Sequence, residues 1–118
     1  MENSTNTTVI EAAFAALDTP EGPSRALQRD AVRALVARLA EIAPGKTVEV
    51  RIPPFAAVQI IAGPRHTRGT PPNVVECDPL TFLELAAGRL DFAEAVATGA
   101  VHASGTRADL TDLLPLTP

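Results

Sequence analysis

Aromatic side chains are scarce in this chain of 118 residues, which has no tryptophan, no tyrosine and an aromatic content of 3%. Few side chains are therefore suited to stacking on nucleobases. The net charge of −4 also disfavours a phosphate backbone as a partner. We expect no nucleic-acid partner. The apolar content is 46%, so the core must be built mainly from alanine, valine, leucine and isoleucine.

Cysteine is nearly absent as well, because Cys77 is the only one in the chain. A single cysteine excludes an internal disulfide and a zinc site made from several cysteines, and it suits a reducing cytosol. The first residues lack the basic start and apolar centre of a signal peptide. No apolar run approaches the roughly 20 residues needed to span a bilayer. The sequence predicts a cytoplasmic protein without stable membrane insertion.

Histidine and cysteine residues are too few and too scattered in this chain to indicate a catalytic or metal site. His66 and His102 are the only histidines, and with Cys77 they do not form a convincing ligand set. Cys77 stands between Glu76 and Asp78, whose negative charges disfavour a reactive thiolate. We therefore expect no catalytic residues, no metal, no cofactor and no enzymatic activity, with Cys77 a small residue at the end of a strand.

The length predicts one domain, spanning residues 9–118 after a frayed, polar segment at residues 1–8. Apolar spacing predicts a short helix over residues 9–17, ended by the Thr-Pro and Gly-Pro pairs that follow it. Ser24 can cap a longer helix that reaches Ile42. Its apolar stripe is formed by Leu27, Ala31, Leu35, Val36, Leu39 and Ile42. The opposite side carries Arg25, Arg29, Arg33 and Arg38, as a solvated basic face or a docking surface for an acidic partner.

The middle of the chain has the pattern of a hairpin. Residues 47–52 alternate between polar and apolar side chains, which predicts a strand buried on one face. Residues 56–62 are apolar except for Gln59, which predicts a second strand more buried than the first and antiparallel to it. Residues 63–72 are polar and rich in proline and glycine, with room for a short edge strand at 65–68. Residues 74–77 predict another strand.

The stretch from Glu76 to Leu116 carries the most consistent local signals. Asp78 can cap a helix that begins at Pro79 and ends at Gly88. Asp91 and Glu94 form a capping box for a second helix, which Gly99 ends. A strand is predicted over residues 100–104, and a last helical turn or two after residue 106, with apolar members Leu110, Leu113 and Leu114.

The motif within this stretch resembles the second half of sterol carrier protein domains. Residues 81–110 read T-F-L-x-L-A-x-G-x-L-x-F-x-x-A-x-x-x-G-x-V-x-A-S-G-x-R-A-D-L, and G-T-P-P-N-V-V-E at 69–76 extends the match. The pattern is more narrowly similar to the short bacterial orthologue of that fold, common in actinobacteria. We expect an α+β two-layer sandwich with a mostly antiparallel sheet of four to five strands and helices on one face, since this arrangement buries the apolar faces.

The resemblance implies an apolar cavity between sheet and helices, and no chemistry of its own. Such a cavity would be lined by Leu35, Leu39, Val58, Ile60, Phe82, Leu83, Leu85, Leu90, Phe92 and Val96. The alternative is that these side chains simply fill the core. His66 and Arg68 in the polar loop, and Arg107 before the last turn, are candidates for anion or head-group contacts. Their alternatives are a solvated loop and, for Arg107, ion pairs with Asp109, Glu76 or Asp78.

Two functions remain open at this point. The first is a non-enzymatic binding or carrier domain for a lipid or another hydrophobic small molecule. The second is a protein-interaction or accessory module without a ligand. Similar domains occur fused to thiol-dependent isomerase-like helical bundles, and this chain could dock on such a partner through its sheet or through residues 63–72. A homodimer is also open.

Overall fold

The computed structural model describes residues 4–63 and 73–116, and shows an α+β fold with four α-helices and a four-stranded mixed sheet. In chain order the elements are α1 (Ser4–Ala16), α2 (Arg25–Ile42), β1 (Val48–Ile52), β2 (Ala56–Ile60), β3 (Asn73–Glu76), α3 (Pro79–Ala86), α4 (Phe92–Thr98), β4 (His102–Ser104) and a 3₁₀ turn (Thr111–Leu113). The edge strand predicted at 65–68 lies outside the described residues.

The sheet has the strand order β2-β1-β3-β4. The β1–β2 and β3–β4 pairs are antiparallel, whereas β1 and β3 run parallel. The prediction of a mostly antiparallel sheet and of an antiparallel β1–β2 hairpin is thus confirmed. The register places Val50 between Val58 of β2 and Val75 of β3, so these three side chains share one face of the sheet.

The two faces of the sheet differ in burial. Val48, Val50 and Ile52 of β1 are at most 1% exposed, and the intervening Glu49 and Arg51 are only half-buried. The buried face belongs to a single hydrophobic cluster with residues from all four α-helices, and α2 packs on β2 and α3. The strict alternation of the sequence therefore predicted β1 correctly.

Strand β2 corrects one expectation, because it is less buried than β1. It forms one edge of the sheet formed by the described residues, Ala57 and Gln59 are exposed, and only Ile60 is fully buried. An apolar run can also form an edge strand with one face exposed to solvent. The hydrophobicity of residues 56–62 therefore did not predict how far β2 is buried. The strand also ends at Ile60, two residues before the predicted end, and Ile61 adopts a positive φ of 69°.

The N-terminal segment is another correction. Helix α1 begins at Ser4 rather than at Val9, so it starts five residues earlier than the apolar spacing predicted. Ile10 and Ala13 are fully buried, and α1 packs on α2 and α3. This packing stabilises a helix whose first residues have modest intrinsic helix propensity. Residues 1–3 lie outside the described part of the chain.

Helix α2 follows its predicted pattern closely except at its end. The Ser24 side chain accepts a hydrogen bond from the Leu27 amide at 3.1 Å, as a cap should. Ile42 was predicted to face the core, but it lies at the last helical position and is 52% exposed. The arginine side of α2 is partly tied to the β1–β2 turn. The Arg25 guanidinium lies 5.1 Å from the Phe55 ring centroid, and Arg33 Nε donates to the Phe55 carbonyl at 3.3 Å.

The predicted caps of α3 and α4 are confirmed. Asp78 accepts from the Thr81 amide at 2.8 Å and Asp91 accepts from the Glu94 amide at 3.1 Å. Gly88 and Gly99 have positive φ values of 80° and 85°, which glycine adopts without strain.

After α4 the regular elements are shorter than predicted. Strand β4 has three residues, and the last helix is only a 3₁₀ turn. Leu114 is extended, at φ −111° and ψ 149°. This conformation is expected because the residue before a proline is biased away from the helical region, and Pro115 follows.

Candidate functional site

The structure separates the ten residues predicted to line a cavity into two groups. Seven are buried and belong to the hydrophobic core: Leu35, Leu39, Ile60, Phe82, Leu83, Leu85 and Phe92. Val58 and Leu90 are half-buried against that core, and Val96 on α4 is 37% exposed. A ligand-binding role for these ten residues stays a prediction. Only Leu85, Leu90 and Phe92 meet at a pocket among those described below.

This pocket, which we name the corner pocket, has a volume of about 250 Å³. It lies where the C-terminal segment passes the end of α3 and the start of α4. The residues that line it are Leu85, Gly88, Arg89, Leu90, Asp91, Phe92, Thr111, Leu114 and Pro115. Leu90 and Leu114 are half-buried here, whereas Leu35, Leu39 and Ile60 are fully buried.

Backbone contacts hold the C-terminal segment over α3. The Leu116 amide donates to the Ala86 carbonyl at 2.8 Å, and the side chain of Leu116 is only 3% exposed. Gly88 faces Pro115 closely, since a Cβ at position 88 would lie 3.3 Å from the Pro115 Cβ. One wall of the corner pocket is therefore an irregular segment that is anchored at Leu116.

The polar groups of the corner pocket are Arg89, Asp91 and Thr111. The Arg89 guanidinium pairs with the Asp18 carboxylate, just after α1. Asp91 uses its Oδ2 atom to cap α4. Thr111 donates to Asp109 through both its amide (2.9 Å) and its hydroxyl (2.6 Å), and these two hydrogen bonds lower the pKa of Asp109 below its ordinary value.

The accessible face of the sheet, which we name the open sheet face, carries a second set of features. Arg51 Nε lies 3.3 Å from Glu49, and Arg51 Nη1 lies 3.9 Å from Glu76. Two shallow depressions of about 490 and 540 Å³ share Arg51 and Glu76. One continues to the Pro53–Ala57 side of the sheet and the other to Val96, Gly99 and β4. His102 is exposed and lines the second depression.

Cys77 follows β3 and is 6% exposed. Burial raises the pKa of its thiol to about 12, with further contributions from the negative charges of Asp78 and Glu76. The thiolate is therefore rare at neutral pH, and the thiol is a poor nucleophile. The Cys77 amide donates to the Arg51 carbonyl at 3.1 Å, which fits the predicted role of a small residue at the end of a strand.

The three candidate anion contacts do not form a described cluster. His66 and Arg68 lie outside the described residues. Arg107 is exposed, and its guanidinium lies beside Gly63, where an added Cβ would be 3.2 Å from Nη1. The ion pairs found among the described residues do not join Arg107 to any of the three carboxylates considered from the sequence.

Asn73 is a structural residue that sequence reasoning missed. Its side chain is only 3% exposed. It donates to the Thr47 carbonyl at 3.0 Å and accepts from the Arg107 amide at 2.9 Å. It thereby joins the segment leading into β1, the start of β3 and the loop after β4. The available signal was a polar residue at an inward position of the alternating N-V-V-E segment, directly after two prolines.

Within residues 4–63 and 73–116, no group of three histidine, cysteine, aspartate or glutamate side chains could hold a metal ion. None of the helices that the structure describes combines the length and the hydrophobicity required to cross a bilayer.

The comparisons with known proteins agree with the sequence motif. The model of a family described as the bacterial SCP ortholog, in which SCP stands for sterol carrier protein, matches residues 24–116. No curated protein matched the chain. The matched region begins at the cap of α2 and includes the sheet, the corner pocket and Leu116, whereas α1 lies outside it.

Proposed function

The chain belongs to the bacterial SCP ortholog family, and we propose that it is a non-enzymatic cytoplasmic carrier that holds a small hydrophobic molecule in the corner pocket. The observation that carries this proposal is the position of Leu90 and Leu114, two half-buried leucines that line a pocket of about 250 Å³. In this proposal the helices and the sheet form a two-layer sandwich whose interior is filled by core side chains. The ligand lies at the corner of the sandwich rather than between its layers.

The size of the corner pocket restricts its occupant. Pockets for drug-sized ligands have volumes of roughly 300–1,000 Å³, so about 250 Å³ suits a short acyl chain or the end of a longer one. Each buried methylene contributes about 0.8 kcal/mol. A chain that buries about six methylenes therefore gains roughly 5 kcal/mol, which corresponds to dissociation constants in the high micromolar to millimolar range.

The test is a titration of ¹⁵N-labelled protein with 1-octanol, followed by amide chemical shifts. We expect the largest shifts at Gly88, Leu90 and Leu114, and small shifts at Glu49 and Arg51 on the open sheet face. Leu114→Trp should fill the corner pocket and abolish the shifts. Val96→Trp is the matched control, because it places the same ring at an exposed position outside the corner pocket.

Two results would reject the carrier proposal. One is the absence of any shift up to the solubility limit of 1-octanol. The other is a set of shifts that persists in Leu114→Trp, because the probe would then bind elsewhere.

A second candidate function is favoured by the open sheet face. Here the two shallow depressions meet at Arg51 and Glu76, and a broad, charged surface of this kind suits docking on another protein. In this proposal the chain is an accessory module for a thiol-dependent isomerase-like helical bundle. Addition of such a protein should broaden the amide signals of Glu49, Arg51 and His102 more than those of Gly88 and Leu90. Arg51→Glu should prevent the broadening, and unchanged binding by this variant would exclude the open sheet face.

A further inference from the structure

We propose that Asp18 is an internal competitor for the Arg89 guanidinium, so that an anionic head group enters the corner pocket by displacing this carboxylate. The inference rests on the proposed function, since it requires an apolar occupant of the corner pocket. In this proposal Asp18 affects which head groups the corner pocket accepts. Asp18 lies outside the family match, which begins at residue 24.

Among the residues that line the corner pocket, one side chain can pair with an anion. Arg89 is the one cationic side chain among its nine lining residues, and Asp91 is the one carboxylate. Asp91 is already engaged at the start of α4, where its Oδ2 atom lies 3.1 Å from the Glu94 amide. An anionic head group is therefore expected to pair with the Arg89 guanidinium, which recognises carboxylates through two parallel hydrogen bonds.

The present partner of Arg89 is easy to displace. The Asp18 side chain is 70% exposed, whereas that of Arg89 is 35% exposed. Ion pairs between solvent-exposed side chains contribute little, because both charges remain well hydrated when they separate. A head group whose tail lies against Leu85, Leu90 and Phe92 is held near Arg89 by that apolar contact, so it competes at a high effective concentration.

Displacement of Asp18 also changes how α1 is held. The Asp18–Arg89 pair connects the residue two positions after α1 to the turn between α3 and α4. Once the pair is broken, α1 retains the apolar packing of Ile10 and Ala13. Because ligand and Asp18 use the same guanidinium, each weakens the other's binding by the same factor.

The experiment compares octanoate with 1-octanol at pH 7.5, where octanoate is ionised and the two probes have the same tail length. Asp18→Asn should lower the Kd for octanoate by about two- to five-fold, the range set by an exposed ion pair, and leave the Kd for 1-octanol unchanged. Arg89→Gln should raise the Kd for octanoate by a similar or larger factor. In the Arg89→Gln background, Asp18→Asn should have no further effect.

Asp30→Asn is the control for a general change in charge, because Asp30 is 50% exposed and pairs with Arg29 at 2.9 Å, outside the corner pocket. The inference is overturned if Asp18→Asn leaves octanoate binding unchanged, if it tightens both probes equally, or if Asp30→Asn has the same effect. Binding of 1-octanol with any of these results leaves the carrier proposal intact. Failure of both probes to bind the wild-type corner pocket rejects both.

Discussion

The α2–sheet interface and the corner pocket are both lined by apolar side chains, but those side chains differ in how much of their surface stays exposed. Leu35, Leu39 and Ile60 have no exposed surface, and they line none of the pockets described above. Leu90 and Leu114 are half-buried and line the corner pocket. An apolar residue on a helix is therefore a poor guide to a ligand cavity, because most such residues are used for packing.

The difference comes from the regularity of the elements that meet. Helix α2 and the sheet present periodic surfaces, and their buried side chains belong to one hydrophobic cluster. The segment after the 3₁₀ turn is irregular, with extended Leu114 followed by Pro115. Such a segment does not repeat the regular side-chain spacing of a helix or a strand. Space is thus expected where a non-repetitive segment covers a helix end.

The largest effect should come from Leu39→Ala, which removes a fully buried side chain. We expect the free energy of unfolding to fall by about 2–5 kcal/mol, because a cavity remains in the core. Leu114→Ala should cost only about 1 kcal/mol, since its side chain already borders open space. Urea denaturation of both variants gives the two values. Equal losses would show that the C-terminal segment is part of the packed core.

Asn73→Ala should give the next largest effect, a loss of about 1–3 kcal/mol, because the Thr47 carbonyl and the Arg107 amide lose their side-chain partner. The measurement is again urea denaturation, with Gln59→Ala on the exposed side of β2 as control. The control should change stability by less than about 0.5 kcal/mol. A similarly small change for Asn73→Ala would mean that water replaces both hydrogen bonds.

Gly88→Ala should cost about 1–2 kcal/mol, the penalty for a side chain in the left-handed region. A Cβ at position 88 also meets Pro115 at 3.3 Å. Gly22→Ala is the matched control, because Gly22 has a φ of 70° and no atom within 4 Å of such a Cβ. Thermal melts of the two variants separate the cost of the left-handed backbone from the cost of the contact between the new Cβ and Pro115. Equal losses would indicate that Pro115 moves aside freely.

The smallest effect at neutral pH should come from the Cys77 thiol, whose pKa is raised from 9.0 to about 12. Between these values the unfolded chain loses the proton and the folded chain keeps it, so stability falls as pH rises. Relative to Cys77→Ala, the wild type should lose about 1 kcal/mol between pH 8 and pH 10, and nothing between pH 6 and pH 8. A constant difference between the two proteins would show that Cys77 is not buried.

Local sequence signals predicted the structure correctly where it depends on residues that are close together in the chain. The caps at Ser24, Asp78 and Asp91 and the stop at Gly88 follow from hydrogen bonds or φ values within a few residues. The family motif was recognised from the same stretch, and the match to residues 24–116 confirmed it. The exposure of β2, the start of α1 at Ser4 and the outward position of Ile42 depend on what packs beside them, so periodicity could not report them.

The candidate sites also combine features that the sequence predicted with features that depend on distant contacts. Leu85, Leu90 and Phe92 were selected from the sequence as apolar residues of the motif, but the sequence did not distinguish them from the buried Leu35 or Leu39. Their common pocket also requires the C-terminal segment to cross α3. The Asp18–Arg89 pair joins residues 71 positions apart, and no local pattern indicates such a pair.

The sequence by itself determined the helix boundaries at the capped ends, the alternation of β1 and the family, because each depends on the order of neighbouring residues. Tertiary structure alone decided that β1 and β3 pair in parallel, that Asn73 joins three segments, and that space remains beside Leu90 and Leu114. These features arise from contacts between distant segments, whose mutual fit depends on shape rather than on composition.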